Sequence, residues 1–176
     1  QHGGYFLTAD DAEGLILRPH SSVDDAIPNH VGLTAQNLAR LAALSGDERW
    51  RRQLDMLFAH MLAAAARNMF GHLSLLNALD LYLAGAEIVV TGQGEEADAL
   101  LKTARALPHA NTIVLHVPDP AKLPPHHPAA DKIAPGGEAA AFVCRGQTCS
   151  LPVTEPHALA ALVLRGEASA SEGRLQ

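Results

Sequence analysis

The chain has 176 residues, 48% hydrophobic and 18% charged, with a formal net charge of −6; these values exclude an intrinsically disordered chain and permit a domain with a real core. Alanine and leucine dominate at 32 and 26 residues, and the two cysteines are too few for a disulfide scaffold or a four-cysteine zinc site. Residues 1–85 carry 6 basic and 9 acidic side chains and residues 86–176 carry 7 and 10, with no basic patch, which disfavours nucleic acid and an anionic membrane surface as partners.

No apolar run reaches the roughly 18 residues that cross a bilayer. The first residue is Gln1 and no signal-peptide pattern follows it, which reads as a piece of a longer protein. Gly4–Thr8 and Leu15–Arg18 are β-prone runs around a polar, Gly-closed turn, the pattern of a hairpin. A loop follows from Pro19 to about Asn29. A helix is expected from near Thr34 to Gly46, with Leu38, Leu41 and Leu44 on its buried face. Asp47 is the expected N-cap of a second helix. There Trp50, Leu54, Leu57, Phe58, Met61 and Leu62 form an apolar stripe, and Trp50 and the two methionines are assigned to the core.

A third helix, Leu73 to Ala84, is apolar nearly all round except for Ser74, Asn77 and Asp80. A helix of that kind belongs inside a larger assembly, and self-association is the expectation if its neighbours are missing. After Gly85 the period changes. Glu87–Thr91, Glu95 to about Leu107, and Thr112–Val117 read as strand, helix and strand, a βαβ unit with a parallel pair. Residues 118–138 hold six of the eleven prolines and read as an irregular loop. Two further strands are expected at Glu138–Arg145 and Ser150–Val153, then a helix from Glu155 to Leu164 capped by Thr154, and a frayed tail over 167–176.

Several groups of residues carry chemistry. Gly92-Gln93-Gly94-Glu95-Glu96-Ala97 matches G-x-G-x-x-A between a strand and a helix, with Asp119 after the next strand. Glu95 and Glu96 suit the helix dipole but repel a pyrophosphate at the same N-terminus, which weighs against a dinucleotide. Cys144 and Cys149 flank an expected turn, Arg145-Gly146-Gln147-Thr148. They are read first as structural thiols, with a cross-strand bridge or a redox role as the alternatives. His126 and His127 are adjacent on a loop and do not converge as an i, i+4 pair would, so neither a metal site nor a cofactor is assigned. The segment Asp24-Asp25-Ala26-Ile27-Pro28-Asn29-His30 is the stronger candidate. Its paired carboxylates, Asp24 and Asp25, have the chemistry of a general acid and base, while Tyr5, Arg18, Asn29 and His30 supply polar groups for a ligand-binding wall. The other reading of these aspartates is as turn formers or helix caps.

Gly3-Gly4-Tyr5-Phe6, Asp10, Arg18 and the Asp24–Asn29 block resemble the C-terminal part of thioredoxin-domain-containing proteins of the spermatogenesis-associated type. Phe142–Thr154 is similar to the closing signature of that family. The resemblance implies an upstream thioredoxin-like domain joined to a six-hairpin α/α toroid like that of N-acylglucosamine epimerases. On it, residues 1–85 hold a β-hairpin and the last hairpins of the toroid, and 86–166 form a small α/β tail. It further implies a cytoplasmic protein that is carbohydrate-active, with a sugar ligand and isomerase- or glycosidase-like chemistry. The alternative is a non-catalytic scaffold or interaction module for the redox domain. Val31 stands before Gly32 where the family tends to have Asn, and an alkyl group offers a polar ligand no hydrogen bond.

Overall fold

A computed structural model describes residues 5–9, 11, 16, 21–108, 111–146 and 148–172, with the side chains of 165–172 left aside. Among these residues there are five α-helices and one four-stranded mixed sheet. The chain divides into two compact units, residues 1–82 and 83–176.

The first unit is helical. α1 (His30–Ser45) begins four residues before the expected Thr34, because Asn29 leaves the loop as its N-cap and accepts a hydrogen bond from the Val31 N–H. The earlier start moves the buried stripe to Val31, Ala35, Leu38 and Ala39, while Leu41 and Leu44 are exposed. Gly46 closes the helix in the left-handed conformation, at φ 65°, and its N–H donates to the Ala42 carbonyl. α2 (Glu48–Arg67) follows at once. Asp47 accepts from the Arg49 N–H at 2.9 Å and pairs with its guanidinium. Leu54, Leu57, Phe58, Met61 and Ala65 are its buried residues, whereas Trp50 is half-buried beneath the Arg49 guanidinium and Met56 is exposed. α3 (Leu73–Ala84) follows a short 3-10 turn, Phe70–His72. Tyr82 stacks at a tilt on Phe58 and donates its hydroxyl hydrogen to Asp55 at 2.7 Å.

The second unit is built on the sheet, in the order β2-β1-β3-β4. β1 (Ala86–Thr91), α4 (Glu95–Ala106) and β2 (Thr112–Val117) form the strand–helix–strand unit, and β1 pairs with β2 in parallel. β3 (Ala140–Arg145) runs antiparallel to β1 on its other side and turns back as β4 (Thr148–Cys149), only two residues long. Successive β1 residues point to opposite faces. Ile88 and Val90 pack with Leu100, Ala104, Leu159 and Val163 on one side, and Val89 packs with Val117, Ala134 and Phe142 on the other. A strand covered on both faces reads as an unbroken apolar run, which is why Ile88-Val89-Val90 lacks alternation. α5 (Pro156–Glu172) continues beyond Leu164. In place of a second full strand over Ser150–Val153, there is one isolated bridge, Ala141 to Val153.

The expected fold, hairpins of an α/α toroid followed by an α/β tail, is not what forms. The described residues form a small α/β fold of five helices and one mixed sheet, and nothing among them makes a helical ring. On the apolar third helix Leu75, Ala78 and Leu81 are buried, whereas Leu73 and Leu83 are exposed. Of the N-terminal hairpin, residues 5–9, 11 and 16 are described and none is in a strand; the rest lies outside the described residues. No helix among the described residues is long and apolar enough to cross a membrane.

Candidate functional site

Asp24 is the centre of a connected polar cluster. Its carboxylate accepts from the Asn29 N–H at 2.7 Å, from the Ser74 N–H at 2.8 Å, and from the Ser74 hydroxyl. Its own N–H donates to the Gly71 carbonyl at 2.7 Å. The side chain therefore ties the loop before α1 to the first turn of α3, supplying an acceptor for an N–H that the helix leaves unpaired. Burial pushes the Asp24 carboxyl upward, but the donors of Ser74 and Asn29, with His72 nearby, outweigh it and hold the group below its ordinary 3.8. Beside it, the buried His72 presents Nδ1 to the Asn68 carbonyl at 2.8 Å and Nε2 to the Ser22 hydroxyl at 3.0 Å. A carbonyl only accepts, so Nδ1 carries a proton and donates to Asn68.

The other expected residues divide. Asn29 joins the cluster: it caps α1, and its amide donates to the Val23 carbonyl at 3.1 Å. His30 Nε2 lies 2.9 Å from the carbonyl of the exposed Tyr5, so those two meet each other through ring and backbone, away from the carboxylate. Asp25 is exposed, and the hydrogen bond it makes in the loop is from its N–H to the Ile27 carbonyl. Arg18 lies outside the described residues. Val31 is fully buried, so this position faces the packed interior.

Sequence reasoning missed Ser22, His72, Gly32 and the role of Ser74. The signal for Gly32 is steric: a Cβ there would stand 2.6 Å from the Ser74 Cβ and 2.7 Å from its carbonyl carbon. Only a residue without a side chain lets α1 approach the start of α3 so closely.

In the second unit a cleft of about 210 Å³ opens at the carboxyl ends of β1 and β2, lined by Thr91, Gly92, Asp119, Lys132, Ile133 and Glu138 among others. Open α/β sheets bind ligands at such ends. Here, however, Asp119 is spent on its own turn, accepting from the Ala121 N–H and pairing with Lys122, while Lys132 pairs with Asp131. Gly92 and Gly94 take positive φ, as a tight βα turn needs, and Glu95, Glu96 and Asp98 fill the first turn of α4 with negative charge. That turn repels a phosphate. No group of three His, Cys, Asp or Glu able to hold a metal occurs among the described residues.

Cys144 and Cys149 are bonded to each other across β3 and β4. The Ser150 N–H donates to the Val143 carbonyl at 2.9 Å, which makes that pair hydrogen bonded and puts the adjacent Cys144–Cys149 pair where facing side chains come closest.

No family model matches the chain. It is similar to human spermatogenesis-associated protein 20, at 28% identity over 163 residues, and spans 21% of that protein's length while 89% of this chain is covered.

Proposed function

We propose that this chain is a non-catalytic interaction module, acting as a scaffold for a thioredoxin-like redox domain upstream in a longer protein. One observation supports the reading above others: the carboxylate best placed for chemistry, Asp24, is engaged by three donors from its own chain. A general acid or base works best with a pKa near the operating pH, and Asp24 is moved the other way. Asp25, the second carboxylate of the expected pair, is exposed in the loop. The likeness to a spermatogenesis-associated protein is compatible with a module that forms a minor part of a longer chain.

The competing reading is a carbohydrate-active protein of epimerase or glycosidase type. Titration of the chain with hexoses and N-acylhexosamines at millimolar concentration separates the two. We expect no binding, and we expect thiol substrates trapped on the redox domain of the parent to fall when this segment is deleted. A sugar that binds the chain, with affinity lost in Asp25→Ala, overturns the scaffold reading. That variant leaves the Asp24 hydrogen bonds intact, so a loss of binding is not confused with unfolding.

A further inference from the structure

The pairing of Cys144 with Cys149 raises the question of which sulfur meets solvent. Cys144 lies in β3 between strands and is 7% exposed. Cys149 sits on β4, two exposed residues at the edge of the sheet. Thiol–disulfide exchange depends on access and on which sulfur is attacked. The two ends of this bond differ in that respect.

We propose that the β3–β4 hairpin is a thiol-exchange site for a dithiol reductant, with Cys149 as the attacked sulfur and Cys144 as the leaving thiol. A thiolate of the dithiol bonds to the Cys149 Sγ as the Sγ–Sγ bond breaks, and the electron pair departs on the Cys144 Sγ, which takes a proton from water. The second thiol of the reductant then attacks its own half of the mixed disulfide and releases Cys149. The reductant ends as a disulfide, and the chain has gained two electrons and two protons. No upstream domain is needed for this chemistry, so it stands or falls apart from the scaffold reading.

The bond also acts as a latch. The segment after Gly146 lies along the outer edge of β3, through the β4 pairs, the Ser150–Val143 hydrogen bonds, and both bonds of the Ala141–Val153 bridge at 2.8 and 2.9 Å. Reduction leaves this segment held by those hydrogen bonds and by the packing of Val153 against the core. Short edge pairings with exposed backbone belong to the low-stability end of a fold. The Ser150 amide is therefore expected to exchange with solvent faster in the reduced chain.

Two single variants test the polarity of the site. In native buffer with glutathione disulfide, Cys144→Ser should take up glutathione on Cys149, and Cys149→Ser should do so on Cys144 at least about tenfold more slowly. Oxidised wild-type protein gives the same answer without a substitution that could disturb folding. Glutathione followed by rapid alkylation should leave the adduct on Cys149 and the alkyl group on Cys144. Equal rates in the two variants, an adduct on Cys144, or a disulfide that dithiothreitol reduces only in denaturant would each overturn the proposal.

Discussion

Asp24 shows how a short acidic side chain can brace two distant stretches of chain. Its oxygens meet the N–H of Asn29 and both donors of Ser74, which stands 50 residues downstream. Asp24→Asn replaces one acceptor oxygen with an NH2 that faces donors, and should lower stability by about 1–3 kcal/mol, read from the urea midpoint. The pH dependence has a definite sign. Asp24 is depressed in the folded chain, so its contribution is present above the ordinary carboxylate value and is lost as pH falls through the folded one. The gap between wild type and Asp24→Asn should therefore narrow on acidification below about pH 4, the reference range of an unperturbed aspartate. A gap that widened instead would contradict the assignment.

At this scale the sequence was half legible. Carboxylate, amide and turn chemistry marked the segment 24–30 as notable. The partner that decides what Asp24 does was hidden, because Ser74 sits at i, i+3, i+6 spacing with Asn77 and Asp80 and reads as one polar stripe. Only Ser74 of the three is buried. Local spacing carries no information about a contact 50 residues away.

Among the helices, α2 and α3 were the more legible, since the apolar stripe of α2 persists for several turns and α3 is apolar nearly all round. α1 was read late by four residues. Its N-cap, Asn29, follows Pro28 and looked like part of the loop, and the register of the buried face moved with it. A pair of substitutions, one buried control and one in α1, checks that Leu41 lies on the exposed side. Leu54→Ala, fully buried in α2, should cost about 2–5 kcal/mol, while Leu41→Ala on the exposed side of α1 should stay within about 0.5 kcal/mol. Gly32 supplies a sharper test, because Gly to Ala inside a helix ordinarily gains about 1 kcal/mol. Here the new methyl meets the backbone of Ser74, and overpacking of this kind costs about 1–3 kcal/mol. Thermal unfolding of Gly32→Ala should move down, and a rise would show that α1 and α3 are less closely packed than described.

The whole molecule was the least legible. Helical periodicity is the same in a toroid hairpin and in a three-helix unit; what separates them is which surfaces meet, and spacing does not encode that. The change of period after Gly85 did mark where the sheet begins. β1 could be recognised from its branched residues, whereas the two-residue β4 is shorter than any pattern that alternation can reveal.

The strand order β2-β1-β3-β4 leaves the two margins of the sheet unequal. On one side β4 ends after two residues. On the other, β2 extends for six, Thr112–Val117, mostly apolar, and among the described residues no strand pairs with its outer side. A row of unpaired backbone donors and acceptors is a template. At high concentration, or on heating, assembly should therefore begin by growth of the sheet past β2, one extended chain added to another, producing ordered fibrils rather than amorphous precipitate.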